Sequence, residues 1–277
     1  MKKTAILILF ILLIFGNSCS YKPEGSVKIY IKGSDTMLPL VRKLAEEYMK
    51  ANPGVSIYVE GGGSGLGVKA LSRGEADICT ASRLLTAEEK KIIAEKFRAI
   101  GVSTLIAKDA LSIYLNPGNK IVDLKVSDLS GIFEGKIKNW NKLGGDDLKI
   151  IPVIRNPNSG TYLYFKEHIL GDGNYTDSAV VKNTTSEIIG YVLQNKGAVG
   201  YGGIGYNEGQ TLAKIENVYP SERNVINGTY PVVRYLYFYT INNPHENIKK
   251  FIDWTISSEG QQLIKETGYF PIWEKAY

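Results

Sequence analysis

The sequence predicts an α/β protein of two lobes, each built on a mainly parallel sheet flanked by helices. Strand-like and helix-like patterns alternate along most of the 277 residues, and this alternation is typical of mostly parallel sheets. The middle of the chain has enough strands and helices to form a lobe of its own. The C-terminal part has one strand and two helices, too few for an independent sheet. We therefore expect it to complete the first lobe, so that the chain crosses between the lobes twice.

The first lobe begins with three strand and helix pairs. In chain order they are strand 27–33, helix 36–54, strand 55–63, helix 66–74, strand 76–82 and helix 85–97. The first of these helices carries an apolar face from Met37 to Tyr48, and the third begins with a capping box formed by Thr86 and Glu89.

The second lobe and the tail continue the alternation. The predicted elements are two strands within 103–119, helix 127–135, strand 148–156, helices 159–171 and 185–197, strand 198–206, strand 235–243 and two helices within 244–268. Ser127 is expected to cap the first of these helices. We assign residues 26–109 and 234–277 to the first lobe and 110–233 to the second, with crossings near 108–110 and 231–235.

The first residues are typical of an export signal. A basic start precedes an apolar run that is short for a membrane span, and small residues follow it. We expect residues 1–18 to be removed and Cys19 to be lipidated, because the four residues ending at Cys19 resemble a bacterial lipobox with Gly16 in place of the usual leucine. Ordinary cleavage nearby and an uncleaved anchor are the alternatives. Residues 19–25 would be a tether that holds the protein on the outer side of the cell membrane.

Composition argues against several classes of function. The formal net charge is only +5, and no basic block is present, so we expect no binding to nucleic acid. Cys79 is the one cysteine besides Cys19, which leaves no disulfide framework and favours a buried core position for Cys79. His168 and His245 are far apart in sequence and give no support to a histidine metal site. We expect a monomer with neither a metal nor another cofactor.

Four turns share one pattern: a strand, then a turn rich in Gly, Ser or Thr, then a helix. They span residues 33–37, 61–65, 80–84 and 155–162. The carboxyl ends of strands meet at one edge of an open α/β sheet, so turns from two lobes can face a shared cleft. Hydroxyls and the free N–H groups of helix starts donate hydrogen bonds to anions. The set predicts an anion-binding cleft, although each turn by itself is equally an ordinary helix cap.

Two longer stretches, the second of which contains the turn 155–162, resemble a known family. They are SDLSGIFEGKIKNWNKLGG and VIRNPNSGTYLYFKEHIL, and they are similar, in order, to signatures of the phosphate-binding proteins of bacterial phosphate ABC transporters. The resemblance covers about residues 26 to 273. It implies a periplasmic binding protein fold of the type II-like arrangement, a hinged clamp that closes on inorganic phosphate between its lobes. It also implies delivery of the phosphate to a membrane permease, without catalysis.

The resemblance implies phosphate contacts in all four turns. The residues expected to hold phosphate are Ser34, Asp35, Thr36, Met37, Gly63, Ser64, Gly65, Ser82, Arg83, Arg155, Ser159, Gly160 and Thr161. Thr36 would give a hydroxyl and Met37 a backbone N–H, while the glycines would let the backbone come close to the ligand.

One position departs from the family pattern. Well-known members have an aspartate directly after the serine of the third turn, where it accepts a hydrogen bond from protonated phosphate and repels sulfate. This chain has Arg83 there, so we expect Asp35 to be the substitute acceptor. The alternative is that Asp35 only caps the helix that begins near Thr36.

Three other functions remain open at this point. The cargo of the same fold could be sulfate, molybdate or another oxyanion, or the protein could be a surface sensor or adhesin that has kept the clamp. A phosphatase with Ser64 or Ser159 as nucleophile is less favoured, because neither serine has a neighbouring histidine and the sequence has no clustered carboxylates for metals.

Overall fold

The computed structural model describes residues 26–98, 101–206 and 208–273. The predicted signal, the tether and Cys19 lie outside these residues and stay predictions. Within the described ranges, no helix is both long enough and apolar enough to cross a membrane.

Most strands of the described residues join one mixed sheet. The strands are β1 Val27–Gly33, β2 Val55–Glu60, β3 Ile78–Ala81, β4 Val102–Leu115, β5 Asp123–Leu124, β6 Ile151–Arg155, β7 Val180–Lys182, β8 Ala198–Gly203, β9 Thr211–Leu212, β10 Lys214–Ile215 and β11 Val233–Thr240. The sheet has the order β2-β1-β3-β11-β4-β8-β6-β7, with β9 paired to β4, and β5 and β10 form a separate pair.

Helices flank this sheet. Their bounds are α1 Leu38–Ala51, α2 Ser64–Arg73, α3 Ala87–Phe97, α4 Val126–Phe133, α5 Gly160–Phe165, α6 Thr185–Gln194, α7 Glu222–Ile226, α8 Glu246–Ile256 and α9 Ser258–Glu266. The capping box at the start of α3 is confirmed, since Thr86 Oγ1 accepts from Glu89 N and Glu89 Oε2 accepts from Thr86 N. The prediction for Ser127 is wrong: α4 begins at Val126, and Lys125 has the extended cap conformation.

Strand β4 joins the two lobes. Its residues up to Ala110 pair antiparallel with β11, and Leu111 to Leu115 pair antiparallel with β8. The prediction of two strands here is wrong, because one extended segment of 14 residues serves both lobes without a turn. The sheet is therefore parallel in its outer parts, β2-β1-β3 and β8-β6-β7, and antiparallel at the crossing.

Apolar side chains form separate cores on the two sides of this crossing. The first-lobe core includes Ile29, Leu44, Phe238, Phe251 and Ile264, and the second-lobe core includes Leu129, Phe133, Trp140, Phe165 and Tyr201. Helices α8 and α9 pack in the first-lobe core, as expected for the tail. The carboxyl ends of β1, β3 and β6 lie at the cleft between the two cores, and the exact lobe boundaries stay predictions. Cys79 is buried, as expected.

Candidate anion-binding site

Backbone contacts hold the first turn, Ser34 to Met37, in place. Ser34 N donates to Thr80 O at 2.9 Å, and Tyr269 Oη donates to Thr36 O at 2.5 Å. Ser34 Oγ and Thr36 Oγ1 lie 2.8 Å apart, so one of the two donates to the other. The hydrogen of the other hydroxyl is then free for a ligand. The N–H of Met37, expected to face the ligand, donates to Ser34 O at 3.2 Å.

The glycine-rich turn brings the two lobes into direct contact. Gly63 has a φ of 121°, which favours glycine, and a Cβ there would lie 2.6 Å from Asn158 O of the second lobe. Gly65 N donates to the same Asn158 O at 3.0 Å, and Gly63 N donates to Gly33 O at 2.8 Å. The N–H groups of both glycines are therefore paired within the protein. The glycines allow the backbones of the two lobes to come close together. Ser64, between Gly63 and Gly65, supplies the side-chain hydroxyl donor of this turn.

Two first-lobe hydroxyls converge on the start of helix α5. Ser64 Oγ accepts a hydrogen bond from Ser82 N at 3.3 Å, and Ser82 Oγ is buried with no partner among the described residues. Facing them is Gly160, where a Cβ would collide with Ser64 Oγ and lie 2.8 Å from Ser82 Oγ. Gly160 is the first helical residue, so its N–H has no partner within the helix. Only a residue without a side chain allows the lobes to meet here.

Arg155 connects the lobes through a buried ion pair. Its Nη1 donates to Asp35 Oδ2 and to Thr185 Oγ1, each at 3.0 Å, and Thr185 N donates to Asp35 Oδ2 at 2.8 Å. Arg155 Nε and Nη2 are buried and have no partner among the described residues. Burial lowers the pKa of Arg155, and the charge of Asp35 opposes this shift. The contacts of Nη1 thus fix the orientation of the guanidinium, and the nitrogens Nε and Nη2 are left to donate to a ligand.

Asp35 is not a helix cap. The cap positions before the short helical turn Asp35–Met37 and before α1 belong to Ser34 and Met37. The Asp35 side chain instead reaches across the cleft to Arg155 and Thr185. Its backbone oxygen accepts a hydrogen bond from Tyr206 Oη of the second lobe at 2.7 Å. Burial raises the pKa of Tyr206, and the nearby Asp35 raises it further, so this phenol remains a donor. Asp35 therefore holds three hydrogen bonds between the lobes.

The second-lobe turn has two more hydroxyls whose hydrogen-bond direction is fixed by N–H donors. Ser159 Oγ accepts from Thr161 N at 3.2 Å and from Tyr162 N at 3.4 Å. Thr161 Oγ1 accepts from Arg234 Nη1 at 2.8 Å. Because these oxygens accept from N–H groups, their own hydrogens are left to donate. Ser64 has the same polarity, so the cleft offers donors from both lobes.

Arg83 has a different environment from Arg155. Its Nη1 and Nη2 donate to the two carboxylate oxygens of Glu89, each at 2.7 Å, and Nη1 also donates to Leu84 O. Burial alone would raise the pKa of Glu89, but the hydrogen bonds from Arg83 and Thr86 outweigh it and hold this pKa below its usual value. Glu89 balances the charge of Arg83, and Arg83 Nε has no partner among the described residues. The phosphate contact of Arg83 stays a prediction.

Sequence reasoning missed Thr185, Tyr206, Arg234 and Asn158. Thr185 follows the same pattern as the four predicted turns, because strand β7 leads through a turn rich in Asn and Thr into α6. The pattern is weak at this position because β7 has only three residues. The other three residues carry no local signal, because their partners are distant in sequence.

The fold and the site together define a two-lobed binding protein that closes on a small anion. A family model described as a PBP superfamily domain matches residues 21–259. The phosphate-binding protein PstS of Bacillus subtilis is 34% identical, over 92% of this chain and 85% of that protein. The chain belongs to the PBP superfamily and, within it, to the PstS family.

Solved structures agree with this assignment. A phosphate ABC transporter substrate-binding protein with bound phosphate from Clostridium perfringens has a TM-score of 0.83 at 29% identity, and the match covers 89% of this chain and 100% of that chain. An ABC-type phosphate transport receptor from Vibrio cholerae has a TM-score of 0.71 at 32% identity, covering 87% and 99%.

Gly160→Ala is expected to block closure while leaving each lobe folded, because the added methyl group meets Ser64 and Ser82 only when the lobes are together. We expect the affinity for phosphate, the anion that the family resemblance implies, to fall about tenfold or more in calorimetric titration. Thermal unfolding without ligand checks that the fold is intact. Gly190→Ala is the matched control, since a Cβ at Gly190 in α6 has nothing within 4 Å. Equal affinities for the two variants would contradict the closed geometry.

Proposed function

We propose that this protein captures inorganic phosphate outside the cytoplasm and delivers it to the permease of an ABC transporter. One observation carries the proposal: Arg155 Nε, Arg155 Nη2 and Ser82 Oγ are buried between the lobes and have no partner among the described residues. Buried donors are costly unless they are hydrogen-bonded. A tetrahedral anion accepts bonds from all of them at once. The names of the relatives and the phosphate in the Clostridium perfringens structure support phosphate as this anion.

Binding exchanges the water around the anion for directed donors. The first lobe supplies Thr36, Ser64 and Ser82, and the second supplies Arg155, Ser159, Gly160 and Thr161. Since neither lobe has the full set, phosphate binds most tightly when the lobes are closed and shifts the population toward that state. The negative charge need not be matched by an equal number of cations, because neutral N–H and O–H dipoles also stabilise a buried anion.

Asp35 supplies the acceptor that distinguishes phosphate from sulfate in this proposal. Phosphate near neutral pH carries at least one proton, and sulfate carries none. Asp35 Oδ2 is occupied by Arg155 and Thr185, which leaves Oδ1 to accept from the protonated phosphate oxygen. Sulfate would place an unprotonated oxygen against the carboxylate, which is unfavourable. Arg83, paired with Glu89, stabilises the third turn.

In this proposal the protein acts as a monomer and without catalysis. Ser64 and Ser159 bind the ligand as donors, and His168 contacts Tyr164, outside this set of residues. Release of phosphate from a chromogenic ester would contradict this part of the proposal.

Titration of the purified protein with phosphate, arsenate, sulfate and molybdate tests the cargo directly. We expect phosphate to bind most tightly and arsenate next, because both carry a proton near neutral pH, and sulfate and molybdate to bind far more weakly. Calorimetry gives the four affinities. Sulfate or molybdate binding more tightly than phosphate would refute the assignment of the cargo.

Asp35→Asn is expected to reduce both affinity and selectivity. It removes a charge-assisted partner of Arg155, which is worth about tenfold or more in affinity, and its amide can donate to sulfate. The ratio of sulfate to phosphate dissociation constants should therefore decrease. Asp253→Asn is the control, because Asp253 is exposed on α8 and its substitution causes the same change in charge. An unchanged ratio in Asp35→Asn would remove Asp35 from the selectivity mechanism.

Cys19 is proposed to carry the lipid that holds the protein at the cell membrane. In cells that express the full chain, Cys19→Ala should shift the protein from the membrane fraction to the soluble fraction, because Cys19 is the proposed attachment point of the lipid. Fractionation followed by immunoblotting measures this shift. A wild-type protein recovered in the soluble fraction would argue instead for ordinary cleavage.

A further inference from the structure

A second buried ion pair lies where the chain crosses between the lobes. Asp109 on β4 and Arg234 on β11 are register partners, and both side chains are 0% exposed. Arg234 Nε donates to Asp109 Oδ2 at 2.8 Å, and Nη2 lies 2.7 Å from the same oxygen. Ile204 N donates to Asp109 Oδ1 at 2.9 Å. Both carboxylate oxygens are engaged, so Arg234 is held in one position.

The same guanidinium reaches the anion site. Arg234 Nη1 donates to Thr161 Oγ1 at 2.8 Å, and Thr161 is the second residue of α5. A threonine hydroxyl rotates freely and can either donate or accept. Because a guanidinium has only donors, Thr161 Oγ1 must accept this bond. Its hydrogen is then directed to another acceptor.

We propose that Arg234 is a positioning residue for anion binding, which fixes the Thr161 hydroxyl as a donor to bound phosphate while Asp109 holds the guanidinium in place. This inference rests on the proposed function. A hydroxyl with a fixed orientation loses less rotational freedom when the ligand binds. Its hydrogen is then available to a phosphate oxygen, and Asp35 remains the proposed acceptor of the phosphate proton.

Loss of stability by itself would not identify this role, because Arg234 is also part of a buried ion pair. Coupling between the effects of Arg234 and Thr161 substitutions on phosphate affinity does identify the positioning role. If Arg234 acts on the ligand through the Thr161 hydroxyl, its substitution has no effect on affinity once that hydroxyl is absent. A purely structural residue would affect affinity equally in both backgrounds.

The experiment is a double-mutant cycle of Arg234→Lys and Thr161→Val in the full mature protein, titrated with inorganic phosphate. Lysine keeps the positive charge beside Asp109, but its single ammonium cannot also reach Thr161. Valine keeps the shape of threonine without the hydroxyl. Thr161→Ser keeps the hydroxyl and is the conservative rescue. Arg73→Lys is the matched control, because Arg73 is 67% exposed.

We expect each single substitution to weaken phosphate binding about tenfold. The double variant should be weaker than Thr161→Val by less than about twofold, because the two residues act on the same bond. Arg73→Lys should stay within about threefold of the unmodified protein, and Thr161→Ser should bind phosphate more tightly than Thr161→Val because it keeps the hydroxyl. Losses that multiply in the double variant, or an unchanged affinity in Arg234→Lys, would overturn the inference and leave the proposed function intact. Absence of phosphate binding in the unmodified protein would overturn both.

A second variant covers the case in which Arg234→Lys does not fold. Arg234→Met combined with Asp109→Asn removes both charges together, so that no unpaired charge is left buried. The asparagine oxygen can still accept from Ile204 N. This variant should show the same tenfold loss when Thr161 is present and the same insensitivity when it is combined with Thr161→Val. Thermal unfolding without ligand confirms that each variant is folded.

Discussion

The closed arrangement depends on the ion pair between Asp35 of the first lobe and Arg155 of the second. The two side chains are 6% and 1% exposed, and an isolated buried charge is strongly unfavourable. Each group finds its partner only when the lobes meet. Thr185 adds a second donor to the same carboxylate oxygen. Closure therefore removes both charges from water and pairs them in the same step, which links the two lobes energetically.

This pairing also determines what the cleft can hold. Arg155 uses Nη1 for Asp35 and Thr185, which orients the planar guanidinium and leaves Nε and Nη2 without partners among the described residues. Because Asp35 offsets the positive charge, an anion meets a site that is rich in donors but nearly neutral in charge. Such a site selects by the number and direction of hydrogen bonds more than by net charge.

The sequence predicted the parts of this site that depend on local order. A strand, a polar turn and a helix start are neighbours in the chain, so the four turns could be located without coordinates. The sequence did not indicate that Arg83 pairs with Glu89 of the α3 capping box, and the phosphate contact of Arg83 stays a prediction. Arg234 had no local signal, because its partners Thr161 and Asp109 are 73 and 125 residues away. The fold shows the same difference between local and distant contacts. The alternation of strands and helices is a local pattern and predicted the two lobes. The antiparallel crossing depends on the long-range pairing of β4 with β11, which has no local signal.

Both local and distant contacts determine whether each hydroxyl of the cleft donates or accepts a hydrogen bond. A cleft lined with serine and threonine could in principle accept a proton from its ligand at any hydroxyl. Here Ser64, Ser159 and Thr161 each accept from an N–H group of the protein, so each of them is left as a donor. A carboxylate is a stronger acceptor for a ligand proton than a hydroxyl, and Asp35 is the carboxylate among the predicted site residues. Discrimination between a protonated and an unprotonated oxyanion would therefore depend on both lobes, because the groups that fix these polarities come from each of them.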